Sequence, residues 1–181
     1  EKFLFKNIFW IILLLSIPAI WALLVPGFYG ASDDLHIAWL QQMDAALRAV
    51  QFPPRFVPDL SFGFGYPLFN FVFPLPFYIG EIFHLLGFSF VDSVKTVFLL
   101  GIPLSGYFMY KFLKEHVTEW LALAGSIIYI YTPYRSTDIY IRGAFGEAYA
   151  FIFPPVIAWA ITKLSKSKDI KWIGILGLGV S

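Results

Sequence analysis

The sequence has 181 residues, of which 59% are apolar, 20% are aromatic and only 14% are charged, with a net charge of +1. This share of apolar residues exceeds what the surface of an ordinary soluble domain accommodates, so the composition argues against a soluble fold. The lack of cysteine excludes disulfides, thiolate nucleophiles and cysteine-based zinc sites, and the few scattered basic residues give no support for nucleic-acid binding.

Four apolar segments predict helices that cross a membrane. The first, at residues 7–25, carries no charge and has about the 20 residues needed to span a bilayer. The next three, each bounded by charged or turn-forming residues, lie at residues 94–110, 120–134 and 148–164. A fifth begins at Trp172 and ends at Ser181, too early to cross. We therefore expect the chain to be the N-terminal part of one transmembrane domain whose C-terminal remainder is missing.

The segment at residues 66–90 is apolar enough to cross, but it contains three prolines, Glu81 and His84. Proline removes a backbone donor that lipid cannot replace, which favours an interfacial or re-entrant helix at about residues 68–87. If this segment does not cross, the outer loop covers residues 26–93 and most basic residues are cytoplasmic, as the positive-inside rule requires. The cytoplasmic set is then Lys2, Lys6, Lys111, Lys114, Lys163, Lys166, Lys168 and Lys171, and the outer set is Arg48, Arg55, Lys95, Arg135 and Arg142.

This topology places the N-terminus in the cytoplasm and most carboxylates outside. Within the outer loop, residues 34–50 carry apolar side chains at helical spacing, which predicts a helix lying along the membrane surface. The predicted apolar side consists of Leu35, Trp39, Met43, Ala46 and Val50. Ser32 is the expected N-cap, which would place Asp33 and Asp34 in the first turn, just beyond the first span.

The acidic pair Asp33 and Asp34 has two interpretations. In the first, both carboxylates favour the positive end of the helix dipole, which contributes roughly 0.3–1 kcal/mol. In the second, a partly desolvated carboxylate acts as a general base, or the pair binds a divalent cation such as Mg²⁺ or Mn²⁺. His36 is either a hydrogen-bonded structural residue or a group that shares the proton transfer or binds phosphate.

A second group of ionisable residues lies between the third and fourth predicted spans, at Arg135, Asp138, Arg142 and Glu147. One interpretation is a solvated loop with arginines that reach the membrane surface. In the other, Arg135 or Arg142 binds a phosphate through its planar guanidinium while Glu147 orients that arginine or a metal. Arg55, in the turn PPRFVPD, is either a further cation for the same ligand or simply exposed.

The order of these features resembles the GT-C class of polytopic glycosyltransferases, which use polyprenyl-phosphate-linked sugars on the outer side of the membrane. The resemblance lies in the acidic run from Ser32 to His36 after the first span, the surface helix, and the proline-rich segment at residues 71–87. More narrowly, GYPLFNFVFPLPFY, TPYRSTDIYIRGAFGEA and FPP resemble the bacterial membrane domain labelled "6-pyruvoyl-tetrahydropterin synthase-related". We expect no pterin chemistry from that label.

The resemblance implies an all-α, polytopic transmembrane bundle with surface helices in the first outer loop, located in the bacterial plasma membrane. It also implies an inverting transfer of a sugar from a polyprenyl-phosphate donor to an acceptor hydroxyl. Asp33 or Asp34 would then act as base or metal ligand, and Arg142, Arg135 or Arg55 would stabilise the leaving phosphate. No second acidic ligand set at fixed spacing is present, unlike in metal-dependent members.

Two other classes of function remain open. A membrane transporter or flippase also has charges at the membrane boundary and helix-breaking prolines along its substrate path. A non-catalytic membrane protein of envelope assembly would keep the fold and tolerate loss of the acidic pair.

Overall fold

The computed structural model describes residues 7–28, 30–167 and 169–180. Over these residues the chain is all-helical, which confirms the predicted all-α class, and the strand-type pairing in them is an isolated bridge between Val57 and Tyr66. Lys2, Lys6 and Lys168 of the predicted cytoplasmic set lie outside the described residues. The helices in the described ranges are α1 (Ile8–Leu24), α2 (His36–Arg48), α3 (Leu75–Leu85), α4 (Phe90–Leu113), α5 (Glu119–Ile130), α6 (Pro133–Thr137), α7 (Phe145–Ala150), α8 (Phe153–Ser167) and α9 (Lys171–Val180), with a 3₁₀ turn at Leu68–Asn70 and a π-helical turn at Asp138–Arg142.

The other helices assemble around α4, which packs against α1, α2, α3, α5, α7 and α8. It begins after Ser89, whose hydroxyl accepts a hydrogen bond from the Asp92 N–H at 3.1 Å and so caps the helix. Its glycines allow close crossings, because a Cβ at Gly106 would lie 2.4 Å from Ile130 Cδ1 of α5. Gly101 likewise passes close to the backbone of α7.

Two helical runs have the length and composition of membrane spans, namely Phe90–Leu113 and Phe145–Ser167. Helix α1 is apolar but has 17 residues, about 25 Å at 1.5 Å per residue. In the ambiguous segment at residues 66–90, the helix α3 has 11 residues. Its length of about 16 Å is well short of the roughly 30 Å hydrocarbon core, so α3 alone does not cross.

The predicted span at residues 120–134 is interrupted. Helix α5 ends at Ile130, and Pro133, which lacks an N–H, starts the short helix α6 instead of continuing α5. The π-helical turn follows and ends at Gly143. Because the Tyr140 hydroxyl donates to the Ala19 carbonyl of α1, this interrupted leg continues along α1 towards the C-terminal end of that helix.

Two members of the predicted apolar side of α2 lie beyond the ends of the helix. Leu35 precedes it and Val50 follows it, and they are 57% and 88% exposed. The buried residues of the helix are His36, Leu40, Met43 and Ala46. The difference arises because α2 packs with its inner side against both α3 and α4, which a pattern of hydrophobicity alone cannot register.

A buried arginine connects α6 to α4. The Arg135 guanidinium donates to Ser105 Oγ at 2.6 Å and to the Gly101 carbonyl at 2.9 Å, and it lies 4.9 Å from the centroid of the Phe151 ring. Only 1% of Arg135 is exposed. The planar, forked guanidinium therefore fits a site that requires two donors and one stacking face.

We expect Arg135→Lys to destabilise the protein by about 1–3 kcal/mol, because a lysine ammonium cannot reproduce both hydrogen bonds and the stacking. The measurement is the melting temperature in detergent, followed by tryptophan fluorescence. The control is Arg48→Lys, since Arg48 is exposed and its ion pair with Asp44 is a surface interaction worth less than about 1 kcal/mol. Equal shifts in the two variants would contradict the structural role of Arg135.

Candidate functional site

Two loops that are far apart in sequence meet at one end of the bundle. The Ser32 N–H donates to the Ile141 carbonyl at 2.9 Å, and the Asp33 N–H donates to the Arg142 carbonyl at 2.7 Å. The loop after α1 is thereby fixed to the end of the π-helical turn. This junction brings the acidic pair Asp33 and Asp34 close to Arg142 and Glu147 of the second loop.

The predicted N-cap at Ser32 is wrong. Helix α2 begins at His36, and Leu35 occupies the N-cap position without a side-chain cap. The reason is that the junction with the second loop holds the backbone around Ser32 away from the helix start. Asp33 and Asp34 therefore precede α2 in an irregular segment and do not form its first turn.

Gly143 is the residue that permits this junction. Its φ of 71° lies in the left-handed region, which favours glycine. A Cβ at this position would lie 2.8 Å from Ala31 Cβ and 3.0 Å from the Asp33 carbonyl oxygen. Any larger residue would meet both a backbone penalty and a steric one.

His36 is buried beneath the junction and is hydrogen-bonded, with Nε2 lying 2.8 Å from the Gly143 carbonyl. Because a carbonyl only accepts, Nε2 carries a hydrogen, and in the neutral ring Nδ1 is the nitrogen without one. Burial lowers the pKa of His36, although the nearby carboxylates of Asp33 and Asp34 oppose this shift. Nδ1 has no hydrogen-bond partner among the described residues.

Arg142 and Glu147 form a bidentate ion pair. Nη1 of Arg142 donates to one carboxylate oxygen at 2.9 Å and Nη2 to the other at 3.1 Å. Tyr134 donates its hydroxyl hydrogen to the same carboxylate at 2.7 Å, and Asp138 accepts from Nη1 at 2.9 Å. The guanidinium is therefore held between the carboxylates of Asp138 and Glu147.

The carboxylate of Asp138, which pairs with Arg142, is fully buried. Burial and the neighbouring Glu147 carboxylate together raise the pKa of Asp138 to about 6, against the opposing effect of Arg142. Near neutral pH the three side chains of Asp138, Arg142 and Glu147 thus carry more negative than positive charge. An anionic ligand at Arg142 is favoured when Asp138 takes up a proton.

The two loops and α2 enclose a cavity of about 460 Å³. Five of the seven predicted site residues line it, namely Asp33, Asp34, His36, Arg142 and Glu147. Four aromatic side chains also line it and form what we call the aromatic wall, namely Trp39, Phe71, Phe73 and Phe145. A pocket with apolar walls and a few convergent polar groups is the usual form of a small-molecule site.

The remaining two predicted residues lie elsewhere. Arg135 is enclosed between helices by its contacts with α4, away from the cavity lining. Arg55 lines a separate, open depression of about 610 Å³, together with Asn70 and Tyr78. Neither side chain meets the acidic pair, so the structure does not bring them to the same ligand as Arg142.

The aromatic wall, Tyr134 and the inward position of Asp138 were not predicted from the sequence. Asp138 precedes Arg142 by four residues, a helical spacing that could have indicated their ion pair. Phe71 and Phe73 gave no such signal, because they stand among 21 phenylalanines in an apolar sequence. Only tertiary structure distinguishes a phenylalanine in a cavity wall from one facing lipid.

The predicted divalent cation receives limited support from these side chains. Among the described residues, no three or more His, Asp or Glu side chains are grouped so that they could hold a metal ion. Asp33 and Asp34 would provide at most two ligand groups, so water and substrate oxygens would have to complete the coordination of Mg²⁺ or Mn²⁺.

Comparisons with known proteins place the chain beside a longer relative. No family model and no solved structure matches it. A protein from Lactococcus lactis subsp. cremoris (strain MG1363), described as an uncharacterized protein, is 23% identical over 177 residues. The match covers 94% of this chain and 29% of the relative, so the chain spans less than a third of the relative's length. The GT-C resemblance therefore stays a prediction.

We expect Gly143→Ala to destabilise the protein by about 2 kcal/mol or more, because the left-handed backbone costs roughly 1–2 kcal/mol and the new Cβ also contacts Ala31 and Asp33. Gly87→Ala is the matched control, since Gly87 also has a positive φ, of 99°, but a Cβ there would meet no atom within 4 Å beyond its chain neighbours. Melting temperatures in detergent would show the larger loss for Gly143→Ala. Equal losses would mean that the junction tolerates a side chain.

The pKa of His36 predicts a pH dependence of stability. Because that pKa is lowered in the folded protein, the unfolded chain binds the proton more tightly, and stability falls as the pH drops below about 6.5. The slope due to this group is at most about 1.4 kcal/mol per pH unit. In His36→Gln, the melting temperature should fall less between pH 7 and pH 5 than it does in the wild-type protein. His116→Gln, at an exposed position, is the control and should keep the wild-type dependence of melting temperature on pH. The same dependence in the wild type and both variants would refute the prediction.

Proposed function

We propose that this chain is part of an integral membrane glycosyltransferase of the GT-C type. It transfers a sugar from a polyprenyl-phosphate donor to an acceptor hydroxyl on the outer face of the bacterial plasma membrane. The observation that carries the proposal is the convergence of Asp33, Asp34 and the Arg142–Glu147 pair in one cavity at one end of a helical bundle.

The outer surface of the bundle supports a location in the membrane. Large apolar side chains are exposed on α1, α5 and α8, where Leu14, Ile128 and Ile161 are 64%, 72% and 54% exposed. Water-soluble monomers rarely expose extensive apolar surface, whereas lipid covers it without cost. Trp10 and Trp21, both 65% exposed on α1, add to this outward-facing apolar surface.

The charges at the two ends of the bundle support an outer position of the cavity. At the end away from the cavity, Lys163 and Lys166 both pair with Glu115, and Lys114 pairs with Glu119. Lysines collect on the cytoplasmic side of membrane proteins. If that end is cytoplasmic, the cavity beside the C-terminal end of α1 faces outward.

The cavity contains the groups that an inverting transfer needs. Asp33 or Asp34 accepts the proton of the acceptor hydroxyl while its oxygen bonds to the anomeric carbon. The bond from that carbon to the phosphate oxygen breaks, and the lipid phosphate leaves with the electron pair. Arg142 lies where it can stabilise the charge that develops on that oxygen, and Glu147 and Tyr134 hold the guanidinium in position.

His36 has a positioning role in this mechanism. Its neutral ring donates to the Gly143 carbonyl and packs against Phe145 at a centroid distance of 5.2 Å. It thereby supports the junction that brings Asp33 beside Arg142. The aromatic wall at Trp39 and Phe71 offers flat apolar faces to a sugar ring.

A transporter or flippase is the second candidate function. The observation that favours it is the interrupted leg formed by α5, α6 and the π-helical turn, since broken helices line substrate sites in transporters. The buried Arg135 in that leg lies against Gly101, near the middle of α4. Unlike a transporter or flippase, a transferase requires a carboxylate base at the cavity.

The deciding experiment measures sugar transfer by the full-length protein in liposomes from radiolabelled polyprenyl-phosphate sugar donors. We expect Asp33→Asn or Asp34→Asn to reduce transfer by about 10²–10⁴-fold, the usual contribution of a general base. Asp59→Asn is the control. Asp59 also lies in the predicted outer loop, but its exposed carboxylate accepts a hydrogen bond from Gln42 and does not line the cavity.

Two results would count against a transferase. If the wild-type protein transfers none of a panel of sugars, or if both variants retain full activity while folded and inserted, the acidic pair has no catalytic role. Donor movement across the bilayer without sugar transfer would favour the flippase.

A further inference from the structure

The loop between α2 and α3 carries a closed turn at residues 57–66, which we call the aromatic tip. It is closed by reciprocal backbone hydrogen bonds, from the Val57 N–H to the Tyr66 carbonyl at 2.9 Å and from the Tyr66 N–H to the Val57 carbonyl at 2.8 Å. Inside it, the Gly65 N–H donates to the Leu60 carbonyl at 3.0 Å. The backbone of the tip is therefore held in a defined conformation.

The aromatic tip presents two phenylalanines to the exterior. Phe62 is 103% exposed and Phe64 is 88% exposed. Ser61 and Phe62 both have positive φ, at 56° and 59°, a conformation that is unfavourable for a residue with a side chain. Aromatic rings that remain this exposed on a turn of defined conformation are available to an external binding partner.

An apolar surface connects the aromatic tip to the cavity. The Phe56 ring lies directly over Gly65, and Tyr66 contacts Phe71 with ring centroids 6.4 Å apart. Phe71 is 75% exposed and also lines the cavity described above. The surface is almost free of charge, since the charged residues between positions 51 and 80 are Arg55 and Asp59.

We propose that the aromatic tip inserts into the interfacial region of the outer leaflet and so anchors the mouth of the cavity at the membrane surface. The inference rests on the membrane location proposed above. Phenylalanine rings suit the boundary between headgroups and acyl chains, and the one charged residue of this turn, Asp59, accepts a hydrogen bond from Gln42 of α2. A soluble protein partner would instead be expected to meet a polar rim with more charge than the two charged residues, Arg55 and Asp59, that this surface carries.

Spin labels can test this position directly, because the sequence contains no native cysteine. The full-length protein, freed of any other cysteine, would be labelled at Phe62→Cys or Phe64→Cys and reconstituted in phosphatidylcholine–phosphatidylglycerol liposomes. Gln41→Cys, exposed on α2, is the water reference, and Leu14→Cys, exposed on α1, is the lipid reference. Because the Phe62 and Phe64 side chains make so little contact, these variants should fold.

The measurement is the accessibility of each label to oxygen, which dissolves in lipid, and to a water-soluble nickel complex. We expect the labels at positions 62 and 64 to be several-fold less accessible to nickel than the label at position 41, and shallower than the label at position 14. If positions 62 and 64 match position 41 while position 14 lies in lipid, the anchor is refuted but the membrane location stands. If position 14 also faces water, the membrane location itself is refuted.

Discussion

The junction between the loop after α1 and the end of the π-helical turn is the contact on which the candidate site depends. Two backbone hydrogen bonds, from Ser32 to Ile141 and from Asp33 to Arg142, join segments more than 100 residues apart in the sequence. They are short, and they lie beside a glycine that leaves no room for a side chain. The acidic pair and the Arg142–Glu147 ion pair share a cavity because of this junction.

The helices place the junction at the end of the bundle. Helix α4 gathers most of the other helices around it, and its glycines bring α5 and α7 close. The leg between α5 and α7 is interrupted after Ile130, Pro133 starts a new short helix, and the π-helical turn that follows brings Arg142 to the loop after α1. The departure from a regular span thus positions the charged residues.

The balance of charge in the cavity limits its chemistry. Three carboxylates, those of Asp33, Asp34 and Glu147, line it beside a single guanidinium that is already paired. Such a site suits the removal of a proton from a hydroxyl better than tight binding of a free anion. In the proposed transfer, a lipid phosphate would share Arg142 with Glu147, as a leaving group that must depart after reaction requires.

The sequence by itself determined the helical class and the candidate residues, because apolar runs dictate helices and ionisable residues are conspicuous in an apolar chain. It also pointed to Asp33, Asp34, His36, Arg142 and Glu147, which share the cavity. It could not separate them from Arg55 and Arg135, since an arginine that binds a ligand and one buried against helix carbonyls have the same local signature. Tertiary structure decided that difference, the true start of α2 and the aromatic wall, because each depends on contacts between segments that lie far apart along the chain.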